Sequence, residues 1–209
     1  MPRLSFAVLL VCALPALGED RTLSVTVDGQ PAGEITLEFK TLIDGATSVT
    51  IRAEYRVERP VPVSFDYRGT ESWKDGRLVR LDGLGSEGAI KGGVTLVSGK
   101  DAYALKAGVK EVSVRGEVWP TTGAMLPDPD RKPLVVDVIT GEVLRAKVEK
   151  VGADRVMVAG KIVAATRYRV TAGSNRWDVW YDGNRRLAKR IWTRDGRTVV
   201  AELTQLKAD

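Results

Sequence analysis

The side chains that most often carry out catalysis are nearly absent from this chain. Its 209 residues include no His and a single Cys, Cys12. Without His the chain lacks the usual general base near neutral pH, the commonest metal ligand, and any Ser–His or Cys–His nucleophile. Zinc sites built from His and Cys are excluded for the same reason. We therefore predict no catalytic residue, no metal and no cofactor, and a protein that is not an enzyme.

Carboxylates remain available for chemistry, and Glu71 is the most informative of them. Period-two spacing places Glu71 on the same strand face as Phe65, Tyr67 and Trp73, a face that looks buried. A carboxylate buried there needs a partner, because an unpaired buried charge is costly. The candidate partners are Arg77, Arg167 and Arg169. We predict a structural ion pair in preference to a catalytic acid, and replacing Glu71 with Gln should then change the thermal midpoint.

The aromatic residues give a second set of candidates, densest at 177–187. Alternation puts Trp177 and Tyr181 on one face of a strand and Trp180 on the other. One hypothesis is that the aromatics fill the core and pin cross-strand pairs. The other is that some of them line a lipophilic cavity inside a curved sheet. The candidate cavity residues are Trp73, Tyr168, Trp177, Trp180, Tyr181 and Trp192.

The elements that must position these residues are strands. Apolar and polar residues alternate almost from end to end, and no segment keeps a helical period over three turns. Asp-Gly pairs at 28–29, 75–76 and 195–196 separate alternating runs and predict hairpins. The pattern predicts an all-β antiparallel protein with a dozen or more strands in one domain, residues 19–209. A sheet of that width must curl and enclose space.

A few stretches interrupt the alternation. We predict that the glycine-rich Asp82–Gly93 is a loop, that 152–154 is a turn, and that Arg59-Pro60 breaks a strand. Residues 120–133 contain four prolines and no periodicity. Connections of that kind are often functional or mobile, and any short helix should lie near Thr121–Leu126.

The N-terminus has the features of a secretory signal peptide. Arg3 precedes an apolar run that ends at Leu17, and the small residues Ala16 and Gly18 suit cleavage after Gly18. The run is shorter than the roughly 20 residues that span a bilayer, so no transmembrane anchor is expected to remain. We predict residues 1–18 as the signal peptide and a secreted or periplasmic protein, with a retained anchor as the alternative. Cleavage would remove the only Cys, and the mature chain would therefore contain no disulfide.

The charge pattern argues against nucleic acid as a partner. The formal net charge is +5, but acids and bases are interspersed and no basic stripe is present. The densest positive cluster is Arg185-Arg186 together with Lys189-Arg190. We predict that this cluster is a solvated hairpin edge, and an anion site is the alternative.

Several motifs carry a resemblance to a known family. The segment Glu71–Leu78 fits the pattern E-x-W-x-x-G-x-L, and Thr140–Val143, Ala165–Val170 and Asp178–Asp182 follow in order. Across most of residues 19–209 the chain resembles an uncharacterised family of bacterial secreted proteins, domain of unknown function DUF6134. The resemblance implies a single curved antiparallel sheet that forms an incomplete barrel, similar to the lipoprotein-localisation carriers that hold acyl chains on a concave face. It carries over no catalytic residue.

The expected function follows from these points. We predict an exported, non-enzymatic β-protein that binds a hydrophobic or amphipathic ligand, or a lipidated partner, on the concave side of its sheet. A structural or protein-interaction module of the cell envelope with a filled core is the main alternative, and a carboxylate-dependent hydrolase is the third. An open cavity beside Trp73, Trp177 or Tyr181 would favour the carrier, whereas a filled interior would favour the module.

Overall fold

The computed structural model describes residues 18–58, 62–128 and 132–208, and these ranges contain β-structure and no helix. The predicted Arg59-Pro60 break and the predicted signal peptide, apart from Gly18, lie outside them. No helix in the described ranges could cross a membrane. The strands are β1 Gly18–Val27, β2 Gln30–Thr41, β3 Thr47–Val57, β4 Val63–Lys74, β5 Arg77–Glu87, β6 Ile90–Ser98, β7 Tyr103–Ala107, β8 Lys110–Val114, β9 Val118–Pro120, β10 Leu134–Val136, β11 Val143–Val158, β12 Lys161–Ala172, β13 Asn175–Tyr181, β14 Leu187–Arg194 and β15 Arg197–Ala208.

All fifteen strands belong to one sheet. Its order is β8-β7-β6-β5-β4-β3-β2-β1-β15-β14-β13-β12-β11-β10-β9, and neighbouring strands run antiparallel except for the parallel pair β9–β10. The β1–β15 pair joins the two ends of the described chain at the centre of the sheet. The all-β prediction is confirmed, with one parallel pair added.

The connection between β8 and β9 shows that the sheet curls on itself. These strands are its two edges, yet only three residues separate Val114 from Val118. Four Cα–Cα steps span at most about 14 Å, whereas the edges of a flat fifteen-stranded sheet would lie about 65 Å apart. In addition, β5 contacts β9 and β11 contacts β15. Because β8 and β9 do not pair, the sheet is an incomplete barrel, as predicted.

The Asp-Gly hairpins are confirmed. At Asp28-Gly29, Asp75-Gly76 and Asp195-Gly196 both residues have positive φ, between 48° and 78°. This is the two-residue turn whose twist matches that of the flanking strands. The turn chemistry is local, and therefore the pairs β1–β2, β4–β5 and β14–β15 could be predicted from the sequence.

The glycine-rich stretch is not a loop. β5 continues to Glu87 and β6 begins at Ile90, with only a tight turn between them. A Cβ atom at Gly69 or Gly83 would lie 2.3 or 2.2 Å from the hydroxyl oxygen of Tyr67. These glycines therefore let the Tyr67 ring pack directly on the strand backbone, and their lack of a side chain hides the strand alternation. The turn predicted at 152–154 is likewise a bulge within the long strand β11.

Gly83→Ala should lower the free energy of unfolding by about 1–3 kcal/mol, because the new methyl group would overlap the Tyr67 ring. Urea denaturation would measure the loss. The same substitution should cost less in a Tyr67→Phe background, since phenylalanine lacks the hydroxyl group. That hydroxyl is buried and makes no hydrogen bond in the described part of the chain. Equal costs in the two backgrounds would show that the hydroxyl group takes no part in the overlap.

The proline-containing connection is partly buried: Gly123, Ala124 and Leu126 are buried, whereas Lys132 is exposed. Residues 121–126, here called the plug, form no helix and pack against the β13–β14 loop. The Leu126 amide donates to the Arg185 carbonyl (2.9 Å), and the Leu187 amide donates to the Ala124 carbonyl (3.0 Å). No short helix forms at the place where one was considered, because the backbone of the plug bonds to another part of the chain. Residues 129–131 lie outside the described ranges.

Candidate functional site

A cavity of about 440 Å³ opens at one end of the barrel. Its wall comes from the ends of strands that lie in both halves of the sheet. The aromatic part of the wall consists of Tyr55 on β3, Phe65 on β4, Trp177 on β13 and Trp192 on β14. The Tyr55 and Phe65 rings stack with centroids 5.3 Å apart, and Trp192 meets Tyr55 edge-on at 6.0 Å. The two halves of the sheet therefore share one continuous aromatic surface.

Strand register explains why these side chains face inward. Tyr55 lies directly opposite Phe65, and Trp177 lies opposite Trp192. Residues opposite one another in an antiparallel pair share a face of the sheet. Trp192 is also opposite the fully buried Val199, so this face is the interior.

Of the six predicted cavity residues, Trp177 and Trp192 line the cavity. Trp73, Tyr168 and Tyr181 lie in or against the core instead, and the Tyr181 hydroxyl donates to the Gly123 carbonyl of the plug (2.7 Å). Trp180 lies on the opposite face of its strand from Trp177, as alternation predicted, but it is buried there too, at 5% exposure, and belongs to the hydrophobic core. Its Nε1 donates to Asp154 Oδ2 (2.7 Å), and the Arg167 guanidinium lies 5.0 Å from its ring centroid. The cavity assignment of these four residues was therefore wrong.

Tyr55, Phe65 and Arg190 also line the cavity and were not among the residues predicted from the sequence. A signal for Arg190 was present, because two-residue spacing puts it on the face of Ala188 and Trp192. Its cross-strand neighbours Val179 and Ala201 are fully buried. The neighbouring positive charges favoured a solvated edge instead, and therefore Arg190 was not predicted to face inward.

The positive cluster is not a solvated edge. Arg186 covers the Phe39 ring at 4.6 Å and bonds Glu19 (2.9 Å). Lys189 bonds Glu202 on β15 (2.9 Å). Arg190 points into the cavity. Three of the four cations thus contact different parts of the fold, and the cluster does not act as one surface patch.

Arg190 is held between aromatic rings. Its guanidinium carbon lies 4.7 Å from the Trp192 ring centroid and 5.5 Å from that of Trp177. Its Nη1 donates to the carbonyl of Thr121, at the start of the plug. Burial lowers the pKa of Arg190 below its ordinary value, but an arginine with such a high starting pKa stays protonated. The cavity therefore contains a fixed positive charge.

Two of the three carboxylates that line the cavity have other partners, and the third, Glu142, is exposed to solvent. Glu87 forms an ion pair with Arg194, and burial raises the pKa of Glu87. Asp137 Oδ1 accepts the amides of Ile139 (3.0 Å) and Thr140 (2.8 Å), which fixes the turn after β10. Within the described residues, no carboxylate lies in ion-pair range of Arg190. The same residues contain no cluster of three carboxylates that could hold a metal ion.

Glu71 is fully buried, as predicted, but its predicted arginine partners are wrong. Its Oε2 accepts Trp73 Nε1 (2.8 Å), and its Oε1 accepts the Thr122 hydroxyl of the plug. Burial raises the pKa of Glu71 to about 7, against the lowering effect of these two bonds. The predicted cations pair with other residues: Arg77 with Glu117, and Arg167 and Arg169 with Asp178. The plug supplies a neutral partner that no local pattern could indicate.

Together, the curled sheet, the plug and the aromatic cavity define a barrel-like, all-β single-sheet protein. The chain belongs to the family Domain of unknown function (DUF6134), whose model matches residues 24–204, which confirms the family predicted from its motifs. The crystal structure of a β-barrel-like protein of domain of unknown function DUF1849 from Brucella abortus is similar in fold. It shares 11% identity at a TM-score of 0.63, over 94% of this chain and 100% of that one. No curated protein matches the sequence.

Proposed function

We propose that this protein is an exported, non-enzymatic binding protein that takes a hydrophobic or amphipathic ligand, or the lipid of a lipidated partner, into the cavity beside Trp177 and Trp192. The observation that carries the proposal is the open, aromatic-lined cavity of about 440 Å³. Small-molecule sites typically measure about 300–1,000 Å³ and are lined mainly by apolar and aromatic side chains. Export is inferred from the signal-like residues 1–18.

The rest of the interior supports a binding site over an imperfectly filled core. Protein interiors are close-packed, with few voids larger than a water molecule. Away from the cavity large aromatic side chains occupy the interior, since Tyr67, Trp73 and Tyr181 are each about 1% exposed. Large aromatic side chains thus fill the barrel at one level and leave it open at another. This contrast favours the carrier over the module with a filled core.

Trp192→Ala should weaken binding of the neutral probe N-phenyl-1-naphthylamine by roughly tenfold, because the probe would lose an aromatic wall of its site. Fluorescence titration measures the affinity. Trp180→Ala is the matched control: it removes a buried tryptophan that faces away from the cavity on the neighbouring strand, and it should leave the affinity unchanged in a variant that circular dichroism shows to be folded. Equal losses in the two variants would place the probe elsewhere.

Native mass spectrometry of the protein purified from its own envelope would test the proposal directly. A co-purifying lipid or other amphiphile is the expected result. If no ligand co-purifies and the wild-type protein does not bind the neutral probe, the carrier proposal fails.

The interaction module remains the second candidate because one sheet edge is open. β8, Lys110–Val114, is an edge strand with most of its side chains exposed, and its flanking residue Val109 is also exposed. Unpaired strand edges can accept a strand from another chain. The carboxylate-dependent hydrolase has the least support, because Glu87 and Asp137 have structural partners.

A further inference from the structure

We propose that the ligand of this cavity is an anionic amphiphile whose acidic head pairs with Arg190 while its apolar part lies along the aromatic wall. The inference rests on the proposed function and adds the chemical class of the ligand. Two observations support it: the position of Arg190, and the bonds that Glu87 and Asp137 make with residues other than Arg190.

Arg190 retains unused hydrogen-bonding capacity. Its Nη1 donates to the Thr121 carbonyl, but its Nε is buried and makes no hydrogen bond among the described residues. Trp177 and Trp192 both contact the guanidinium and limit its movement. A guanidinium held in this way offers a planar set of donors, and that geometry matches a carboxylate or phosphate group.

No carboxylate of the described cavity wall pairs directly with Arg190, although the charges of Glu87 and Asp137 act on it from a distance. Glu87 is tied to Arg194, and Asp137 accepts bonds from the turn that follows it. A buried charge without a counterion carries a desolvation cost that a paired charge recovers. A ligand anion would supply the missing counterion, and binding would then favour acids over alcohols or amines of the same length.

The apolar surface beside Arg190 fits the other part of the ligand. Ile35, Tyr55, Phe65 and Leu144 line the same cavity and offer aliphatic and aromatic surface. An anion without an apolar chain would leave this surface uncovered. The chain and the acidic head should therefore both contribute to binding.

Displacement of N-phenyl-1-naphthylamine by four ligands of one chain length tests the inference. Dodecanoate, dodecyl phosphate, dodecanol and dodecyltrimethylammonium are used below their aggregation concentrations. We expect at least one of the anions to bind about tenfold or more tighter than the alcohol and the cation, as a charged hydrogen bond would provide. Comparing the two anions separates a carboxylate source from a phosphate source.

Arg190→Gln should abolish the preference for anions and leave dodecanol affinity within about twofold, because the aromatic wall is kept. Arg190→Lys, which keeps the charge, should retain part of the preference. Arg167→Gln, which removes an arginine from the outer face, is the control and should retain all of it. Circular dichroism confirms that each variant is folded.

Three outcomes would overturn the inference. Wild-type protein could bind dodecanol as tightly as the anions, Arg190→Gln could keep the preference, or acetate and inorganic phosphate could compete as well as the long-chain acids. The comparison of anions with dodecanol on the wild-type protein tests the inference even if a variant fails to fold. If the wild-type protein binds no probe and no ligand co-purifies with it, the proposed function itself fails, a result distinct from loss of anion preference.

Discussion

Glu71→Gln should raise the free energy of unfolding at pH 8 by up to about 3 kcal/mol and leave it nearly unchanged at pH 4. Glutamine keeps the shape of the side chain and both of its contacts. Its amide oxygen can accept Trp73 Nε1, and its amide nitrogen can donate to the Thr122 hydroxyl. It removes the charge that is buried without a cation.

The sign follows from the direction of the pKa shift. Burial raises the pKa of Glu71 in the folded protein to about 7, from an ordinary value of 4.5. Between these values the folded state holds a proton that the unfolded chain has released. The stability from this proton is fully present below pH 4.5 and is lost as the pH rises through about 7. Glutamine cannot ionise, so the difference between variant and wild type should grow across this window.

Urea denaturation of the wild type and the variant from pH 4 to pH 8 measures this difference directly. Glu54→Gln is the matched control, because it removes one exposed carboxylate from β3 without changing the core. A buried ion pair with an arginine would give the opposite sign at pH 8, since glutamine would leave the cation unpaired. A variant that is less stable than wild type at pH 8 would therefore disprove the neutral partners described above.

Arg21→Met should lower the free energy of unfolding by about 3–5 kcal/mol, the cost of removing one member of a buried ionic group. Arg21 lies on β1 and is only 2% exposed. It bonds the carboxylates of Glu19 and Asp182 and donates to the Leu187 carbonyl (3.1 Å). The substitution would leave the partly buried Asp182 without its cation, whereas Glu19 would keep its pair with Arg186.

The loss should extend to the plug and the cavity. Asp182 also accepts the amides of Asn184 (2.9 Å) and Arg186 (3.0 Å), and thereby fixes the β13–β14 loop on which the plug packs. Amide hydrogen exchange should therefore speed up in residues 124–126 as well as around β1. Arg56→Ala is the control, because the Arg56–Glu58 pair is exposed and its loss should cost at most about 1 kcal/mol. Similar losses for the two variants would show that the Arg21 group contributes little.

The local features of the fold could be predicted because their causes are local. Asp28-Gly29 and Asp195-Gly196 form their turns through their own backbone preferences. Alternation placed Trp177 and Trp180 on opposite faces because adjacent side chains in a strand point in opposite directions. At Gly83 a loop was predicted and a strand was found. The missing side chain there makes room for Tyr67, a residue sixteen positions away, and this hides the strand alternation.

Residues that meet through the fold alone could not be predicted in the same way. Thr122 bonds Glu71 from 51 positions away, and Arg21 bonds Asp182 from 161 positions away. Arg190 illustrates the intermediate case. Its inward direction follows from alternation. Its hydrogen bond to Thr121 and the pairing of the nearby Glu87 with Arg194 depend on segments distant in sequence.

The amino-acid sequence by itself determined an all-β chain with a signal-like N-terminus, its tight hairpins, the family, and the faces of its aromatic strands. These properties depend on side-chain period, turn preferences and motif order, which are all read along the chain. Only the tertiary structure decided which aromatic residues border open space and which cation lies beside them. Curling brings the two halves of the sheet together at one end. The plug and the core aromatics fill the barrel at one level, and the cavity remains where they do not reach.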